Sequence, residues 1–370
     1  MSRARPSPAA RRGAAAAAAA PADSADSTPR IPFRARRAIA RGVAALAVGA
    51  FAVATLPAAA APFAYITNQG SHDVSVIDVA TSRVVATVPV GRAAAGVVAS
   101  SPAGRVFVSN PDSKSISVID MRSHALVDTL AAGDGPVGID AAPDGTRLYA
   151  ADWFRDRLLV FDIAARSPGA GPTESRTPMA TIALGRAPAG VAASDRPGIV
   201  FVAERDDDRV ALVDAVAQRV LARARVGSHP FALLFDAPRQ RLYALNVQSD
   251  DVTVLDTREP GRLTLIATVK VGKAPYGAAL AADGRLLYVT NQHADSVSVI
   301  DAATLTVRST LGGFSYPEGV AAHADRVYVV NWMDDNVSVL EASSGRVLQT
   351  IATGKNSRGF GAFIGAPAGP

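Results

Sequence analysis

Cysteine is absent from the 370-residue chain, and both charged residues (19%) and aromatic residues (6%) are scarce. Without cysteine the chain can form no disulfide framework, no covalent c-type haem attachment, no thiolate metal site and no lipoprotein anchor. With few aromatic residues, the core must consist mainly of valine, isoleucine, leucine and alanine. Hydrophobic residues reach 49%, with 30 Gly and 24 Pro. This composition indicates a compact, turn-rich globular protein and excludes a mainly disordered one.

The formal net charge of +5 arises in the N-terminal part of the chain. Residues 1–60 contain nine arginines and two acidic residues, which leaves 29 basic and 31 acidic residues, a net charge of −2, for residues 61–370. A chain that binds nucleic acid generally carries a basic surface. We therefore expect no nucleic-acid binding from the mature chain.

Residues 34–60 have the pattern of a signal peptide. Arg34, Arg36 and Arg37 form a basic start, residues 44–56 are apolar but short for a membrane span, and residues 58–60 are alanines suited to cleavage. We expect cleavage after Ala60, a periplasmic or secreted location and no membrane span in the mature chain. The alternative is an uncleaved membrane anchor. Residues 1–33 are a low-complexity N-terminal extension, either part of the leader or the product of a misassigned start codon.

One unit repeats seven times after residue 62. In each unit a first apolar run ends in a polar residue, the first anchor, and a second run ends ten residues later in an acid, the second anchor. The first anchors are Asn68, Asn110, Asp152, Glu204, Asn246, Asn291 and Asn331. The second anchors are Asp78, Asp120, Asp162, Asp214, Asp256, Asp301 and Glu341. Successive first anchors lie 42, 42, 52, 42, 45 and 40 residues apart, and the long interval contains an insertion around residues 167–178.

Each unit contains four short apolar runs separated by Gly, Pro, Asp and Asn turn signals, including Gly-x-x-Pro-x-Gly loops at 185–190 and 272–277. Four strands at a period near 42 residues predict one blade of a β-propeller. The Tyr-Val-Thr-Asn at 288–291, the Val-Ser-Val-Ile-Asp runs and these loops resemble the YVTN-repeat β-propeller family. The sequence thus predicts an all-β fold over residues 61–366, a single seven-bladed propeller with four antiparallel strands per blade, followed by a tail at 367–370.

The two ends of the repeat array predict how the ring closes. The first unit lacks the apolar run that should precede it, whereas the last unit is followed by a loop and one additional run. We predict that residues 359–364 supply the innermost strand of the blade formed by residues 63–90. The C-terminal strand would then close the ring on the N-terminal blade and leave no open edge there.

The repeated anchors are interpreted as structural residues. Each second anchor precedes a turn, where a short carboxylate can accept backbone N–H hydrogen bonds. The acidic run at 204–209 has the residue types that calcium prefers, but its two arginines favour a self-paired, solvated turn. The histidines show no metal-ligand spacing. We predict no metal site and no cofactor.

Functional residues are expected at positions where the sequences of the seven repeats differ. The loops that enter the inner strands and the segments after the first anchors should share one face at the channel mouth, and most units hold small or polar residues there. The exceptions, the predicted binding face, are Trp153, Phe154, Arg155, His229, Tyr276, Phe314, Tyr316, Glu318, Trp332, Met333 and Arg358. We expect Trp153 and Trp332 to be exposed, and Phe231 and Phe360 to pack between blades.

Three functions remain open. The first is an exported, non-catalytic and monomeric binding module for a small ligand or a periplasmic protein. The second is a lactonase-like or metal-assisted hydrolase at the channel mouth, since similar propellers include lactone hydrolases. No catalytic residue is assigned, but Glu318 or His229 could act as a general base or ligand and Arg358 could stabilise negative charge. The third is an assembly protein, which would self-associate.

Overall fold

The computed structural model describes residues 62–164 and 177–367. These residues form 28 β-strands. In chain order the strands are β1 Phe63–Asn68, β2 Asp73–Asp78, β3 Arg83–Pro89, β4 Val97–Ser100, β5 Arg105–Asn110, β6 Ser115–Asp120, β7 Leu126–Ala131, β8 Pro136–Ala141, β9 Arg147–Asp152, β10 Arg157–Asp162, β11 Ala180–Ala183, β12 Pro188–Ala193, β13 Ile199–Glu204, β14 Arg209–Asp214, β15 Arg219–Arg225, β16 Pro230–Asp236, β17 Arg241–Asn246, β18 Asp251–Asp256, β19 Thr264–Lys270, β20 Pro275–Ala281, β21 Leu286–Asn291, β22 Ser296–Asp301, β23 Thr306–Gly312, β24 Pro317–His323, β25 Arg326–Asn331, β26 Asn336–Glu341, β27 Val347–Ala352 and β28 Ile364–Gly365.

Helical structure within the described ranges is confined to three short 3₁₀ turns, at Pro111–Ser113, Arg205–Asp207 and Gln292–Ala294. In this part of the chain no helix has the length and apolar character needed to cross a membrane. The predicted extension (1–33), the predicted signal peptide (34–60), residues 368–370 of the tail and most of the insertion around 167–178 lie outside the described residues.

The strands form seven antiparallel sheets of four strands each, which are the blades of a propeller. Blade 1 is β28-β1-β2-β3, and blades 2 to 7 follow as β4–β7, β8–β11, β12–β15, β16–β19, β20–β23 and β24–β27. The first strands of successive blades contact one another and line a central channel. The predicted all-β, seven-bladed fold is therefore confirmed.

An aromatic ring lies at the centre of the second strand in every blade. These rings are all at most 2% exposed, and they belong to Tyr65, Phe107, Tyr149, Phe201, Tyr243, Tyr288 and Tyr328. Because side chains alternate across a strand, each ring leaves its own sheet on one side and packs against the next blade. Complete burial of one such side chain contributes about 1.5–3 kcal/mol to the free energy of unfolding. These seven rings therefore supply much of the hydrophobic packing between blades.

The ring closes between the two ends of the described chain, as predicted. Ile364 and Gly365 pair with Ala64 and Phe63 of β1. The expected strand over 359–364 is wrong in its bounds, because regular pairing covers only Ile364–Gly365. Gly359 and Gly361 have φ values of +59° and +123°, which interrupt an extended strand, and the backbone between them bonds instead to β4 of blade 2, where Val97 N–H donates to the carbonyl of Phe360 (2.8 Å).

Most first anchors use an amide to fix the turn between the second and third strands. Asn246 donates to Asp251 Oδ1 (2.7 Å) and to Thr253 Oγ1 (2.9 Å), and Asn291 donates to Ser296 and Ser298 in the same way. The seventh residue after each Asn anchor is accordingly Ser or Thr. An acid therefore needs different partners at this position.

Blades 3 and 4 carry those different partners. Asp152 accepts from Gly135 N–H (3.0 Å) and Arg157 Nε (2.8 Å), and Glu204 accepts from Gly185 N–H (2.7 Å) and Arg223 Nε (2.9 Å). Seven residues after these two acids the chain has Leu and Ala in place of Ser or Thr. In blades 3 and 4, therefore, both the first anchor and its hydrogen-bond partners differ from those of the other five blades.

The second anchors hold the turns at the other ends of the strands. Asp120 Oδ1 accepts the backbone N–H of Arg122 and Ser123, each at 2.9 Å, and Asp301 accepts those of Ala303 and Thr304 in the same way. Equivalent bonds to backbone N–H groups are made by Asp78, Asp162, Asp214 and Asp256. Glu341 instead accepts from the Ser344 hydroxyl. This end of the propeller is called the lower face, and the end with the first anchors is the upper face.

Candidate functional site

Two kinds of loop meet on the upper face, namely those that enter the inner strands and those that join the second strand of a blade to its third. In five blades an Asp ties the two loops together, because its carboxylate accepts a backbone N–H from the loop that enters the following inner strand. The pairs are Asp156 with Ala187, Asp208 with His229, Asp250 with Ala274, Asp295 with Tyr316 and Asp335 with Asn356. All ten residues have a positive φ, so these bonds hold the loops in a conformation that is costly for most side chains.

Glu318 and Arg358 form a buried ion pair near the centre of the upper face. Glu318 lies in β24 and is 2% exposed. Arg358 Nε donates to Glu318 Oε2 (2.7 Å), and Gln292 Nε2 donates to Oε1 (2.7 Å). Arg358 also donates to the hydroxyl of Tyr276. Both oxygens of the carboxylate are thus engaged by neighbouring side chains.

Burial and pairing oppose each other in this pair. Burial lowers the pKa of Arg358, but the neighbouring Tyr276 and Glu318 outweigh it, so the pKa is raised. For Glu318 burial has the larger effect. It raises the pKa of Glu318, while the Arg358 charge and the hydrogen bonds from Arg358 and Gln292 act in the opposite direction. Burial also raises the pKa of the Tyr276 phenol. The positive charge of the Arg358 guanidinium offsets the negative charge of the Glu318 carboxylate. The pair therefore adds directional hydrogen-bonding groups to the upper face without adding net charge.

Three buried rings pack together beside the ion pair. The centroid of the Phe231 ring lies 4.5 Å from that of Tyr276 and 4.9 Å from that of Phe360, and Tyr276 and Phe360 are 5.7 Å apart. These residues come from the inner strands of blades 5 and 6 and from the closing segment of blade 1. Phe231 and Phe360 are buried, at 9% and 7% exposed, but they contact each other at the channel as well as neighbouring blades.

Trp153 extends this group of rings outward. Its ring lies 6.2 Å from Phe231 and carries the Arg205 guanidinium 5.3 Å from its centroid, within cation–π range. Arg205 also pairs with Asp206 (2.5 Å). Trp153 is therefore half-buried, and one of its faces is already covered, which differs from the exposed ring that the sequence predicts.

A second group of rings lies over blades 6 and 7. Tyr316 is between His293 and Trp332, with both centroid separations at 5.5 Å, and the Tyr316 hydroxyl is hydrogen-bonded to His293 Nε2 (3.1 Å). Trp332 Nε1 donates to Gln69 Oε1 of blade 1 (3.4 Å). Trp332 is half-buried like Trp153, because it packs on its neighbour instead of projecting into solvent.

The remaining members of the predicted binding face separate into exposed and buried residues. Phe154 and Met333 are 71% and 58% exposed. Arg155 pairs with Asp134, which also accepts from Lys114 (2.8 Å), and these hydrogen bonds lower the pKa of Asp134 to about 2. These residues lie at the edge of the upper face.

Phe314 is not available on the upper face. It is 7% exposed and belongs to the hydrophobic core formed by blades 6 and 7, with Ala279, Tyr288 and Val320. The expectation that it lies on the binding face is corrected here, because the ring precedes the Pro317 strand start and turns inward to fill the space between the two blades.

His229 lies apart from the other two candidate catalytic residues. Its Nε2 is 3.8 Å from Asp206 Oδ1, its Nδ1 is 3.9 Å from Asp208 Oδ1, and it is hydrogen-bonded to Ser228 Oγ (3.2 Å). Glu318 and Arg358 therefore come into contact with each other, whereas His229 is engaged by the acidic turn of blade 4.

That acidic turn is held by arginines. Asp207 pairs with Arg186 and Arg209, each at 2.8 Å, and Glu204 pairs with Arg209 (3.2 Å) and with Arg223. Among the residues that the structure describes, no group of three or more His, Asp or Glu side chains is arranged to hold a metal ion.

Several residues of the site were missed by the sequence reading. Gln69 and Gln292 directly follow first anchors, at positions where the sequence analysis predicts functional residues, but neither is aromatic or charged. Arg205 is predicted to pair within its acidic turn, and its contact with Trp153 has no sequence signal. The five Asp residues that tie the upper-face loops together, here called the Asp clamps, do have a sequence signal. Asp occurs four residues after the first anchor in five of the seven units. No sequence signal shows that Gln292 reaches Glu318 from another blade.

Comparison with solved structures shows the same fold at low sequence identity. A functionally unknown protein from Desulfotomaculum acetoxidans has a TM-score of 0.67 and 16% identity, covering 83% of this chain and 99% of its own. Hydrazine synthase from Kuenenia stuttgartiensis has a TM-score of 0.64 and 18% sequence identity, and the match covers 75% of this chain and 92% of the hydrazine synthase chain. The dihydro-heme d1 dehydrogenase NirN, in complex with DHE, has a TM-score of 0.60 and 14% sequence identity, and the match covers 83% of this chain and 78% of the NirN chain.

A search of curated protein sequences gave no match. Family comparison, in contrast, covers most of the chain, because the YNCE-like beta-propeller family matches residues 46–169 and 176–368. The matched ranges take in all seven blades. The repeat pattern, the seven-bladed ring and this match agree, and the chain belongs to the YNCE-like beta-propeller family.

Proposed function

We propose that this protein is a non-catalytic binding module whose upper face receives a small ligand or a protein partner. The observation that carries the proposal is the pair of half-buried tryptophans, Trp153 packed against Phe231 and Trp332 packed against Tyr316. Rings that are partly buried against fixed neighbours lose little side-chain freedom on binding, and such rings dominate many interfaces. The Asp clamps add rigidity to the loops that hold them.

The bonding of Glu318 favours binding over catalysis. A general base must come within hydrogen-bond reach of the proton that it takes from the substrate, and Glu318 is only 2% exposed. Oε1 is held by Gln292 and Oε2 by Arg358, at 2.7 Å each. The guanidinium in turn is partly satisfied by the carboxylate. The pair is better suited to orient polar groups of a bound molecule than to turn it over.

The location and partners of the protein follow from the sequence. We propose that residues 34–60 direct export, that the mature chain acts as a monomer in the periplasm or outside the cell, and that it binds neither nucleic acid nor a cofactor. The net charge of −2 over residues 61–370 supports the exclusion of nucleic acid.

The proposal is tested with residues 61–370 in a thermal-shift screen against divalent metals, lactones, sugars, redox cofactors and peptides. A compound that binds the folded state raises Tm by an amount that grows with the logarithm of its concentration divided by its Kd. We expect the Trp153→Ala and Trp332→Ala double variant to remain folded and to lose at least tenfold in affinity. Leu265→Ala, at a 60% exposed position on an outer strand, is the control and should bind normally. Unchanged affinity in a folded double variant would contradict the proposal.

A hydrolase remains the second candidate, because Glu318 and Arg358 do lie in contact at the channel mouth. Hydrazine synthase and the dehydrogenase NirN, which share the fold, are named as enzymes. The hydrolase requires turnover of at least one lactone or ester, with a loss of 100-fold or more in Glu318→Gln. If a broad panel of such substrates is not turned over by the purified protein, with and without added divalent metal, this candidate is rejected.

A further inference from the structure

The central channel continues below the upper face, between the inner strands. Phe231, Tyr276 and Phe360 pack together near the upper ends of these strands, and Phe360 also lines the channel. A cavity of about 440 Å³ extends from these rings between the inner strands as far as their lower ends. This volume is within the usual range of small-molecule sites, roughly 300–1,000 Å³.

The side chains that line this cavity are apolar with one exception, and the backbone of the inner strands adds polar surface to its walls. They consist of glycine, alanine and larger side chains such as Ile139, Leu233, Phe235 and Leu280. Asp140, near the lower end of β8, is the one cavity-lining residue in the described part of the chain with a charged or polar side chain. The Asp140 carboxylate is therefore the one charged group that a molecule in this cavity would meet among the lining side chains.

Asp140 is an exception within the repeat. It lies opposite the central ring of its neighbouring strand, paired with Tyr149. The five other regular inner strands have apolar residues opposite their own rings, namely Val98, Ala192, Leu234, Ala279 and Ala321. Five blades therefore pack at this position without an acid, so the fold does not require one.

The contacts of Asp140 leave its charge uncompensated. Its carboxylate accepts the backbone N–H of Ala141 (2.9 Å) and of Ala193 in blade 4 (2.8 Å), and no cationic side chain is among the causes of its pKa shift. Burial raises the pKa of Asp140 to about 6, against the opposing effect of the two N–H groups. The carboxylate is thus destabilised by its surroundings and would be stabilised by a cation that shares the cavity.

We propose that the central channel is a second ligand site, which takes a compact apolar organic cation with Asp140 as its counter-ion. The hydrocarbon part of the ligand would pack against the apolar side chains between Asp140 and the three rings. Its ammonium group would form an ion pair with the Asp140 carboxylate. This site lies lower in the channel than the proposed upper-face site, with Phe360 near its upper end and Asp140 near its lower end. Residues that bind ligands are often retained at a cost to stability.

The test uses three molecules with the same hydrocarbon cage and different charge, namely 1-adamantylammonium, 1-adamantanol and 1-adamantanecarboxylate, with residues 61–370. Binding is measured by isothermal titration calorimetry at pH 8. We expect the ammonium ion to bind at least tenfold more tightly than the alcohol, and the carboxylate to bind more weakly than either. Asp140→Asn should reduce ammonium binding to the level of the alcohol.

Two further variants define the position of the site. Leu234→Trp should weaken the binding of the ammonium ion and the alcohol alike, since the larger ring fills the cavity. Leu265→Ala, at a 60% exposed position on the outer strand β19, should bind both as the unmodified protein does. The upper-face site is tested by other variants, Trp153→Ala and Trp332→Ala, so failure of one site is distinguishable from failure of the other. In the absence of ligand, Asp140→Asn should remain folded at pH 8, because its amide oxygen can still accept the Ala193 N–H from blade 4. Equal affinity for the ammonium ion and the alcohol, or undiminished ammonium binding in a folded Asp140→Asn, would overturn the proposal.

Discussion

At the scale of single residues, the repeat is held by a close fit between a glycine and an anchor. A Cβ atom built on Gly272 would lie 2.7 Å from the amide of Asn291, and one on Gly354 would lie 2.5 Å from Asn68. The glycine lets the loop that enters an inner strand cross directly over the anchor side chain. The paired occurrence of these residues therefore reflects contact between them and not turn propensity alone.

We predict that Gly272→Ala lowers the free energy of unfolding by about 1–3 kcal/mol, because the new methyl group overlaps the buried amide of Asn291. Denaturant titration measures the change. Gly312→Ala is the matched control, since a Cβ atom there has no neighbour within 4 Å and the backbone φ is ordinary. If the two variants are equally stable, the glycine is not required by the anchor.

At the scale of elements, the outer strands and the closing segment protect the sheet edges. In six blades the pairing between third and outer strand is interrupted by a register shift after the fourth residue pair. Such a bulge twists an exposed edge and opposes pairing with a second chain. The closing segment removes a different edge, that of β1, by covering it from inside the ring.

Closure makes the last residues essential to stability. We predict that deletion of residues 356–370 lowers Tm by more than 10 °C, because it exposes the edge of β1 and removes the fully buried Phe363. Phe363→Ala alone should cost about 3–5 kcal/mol. Phe154→Ala, at a 71% exposed ring, is the control and should be close to neutral. Thermal unfolding followed by circular dichroism checks all three, and an unchanged melting curve for the deletion would contradict this closure.

At the scale of the whole molecule, the fold leaves outer strands with a few exposed apolar side chains, such as Val85 and Leu265 at 51% and 60%. Several are sequence neighbours, such as Val84 with Val85 and Leu265 with Ile266, so their side chains alternate between the two faces of a strand. The strands that carry them are bulged, which does not favour assembly through their edges. We predict that residues 61–370 sediment as a monomer at concentrations up to roughly 50 μM. A stable oligomer in sedimentation velocity would instead favour the assembly function, and its loss in Leu265→Lys would place the interface on an outer strand.

The sequence by itself determined the architecture. A ten-residue interval repeated seven times, four apolar runs per unit and turn residues between them all depend on local propensity and on alternation along a strand, which are visible one unit at a time. The closure followed from a run missing at one end and present at the other. Its bounds did not, because the positive φ at Gly359 and Gly361 depends on bonds to blade 2.

Only the tertiary structure decided how the candidate site is assembled. Glu318 meets Arg358 and Gln292 across three blades, Phe314 turns into the core, and Asp140 lies alone in the channel. Residues 26 to 40 positions apart are brought into contact by the curvature of the ring, which sums small rotations between blades and is not encoded in any one repeat. The sequence fixes which residues differ between repeats, whereas the closed ring determines which of those differences face one another.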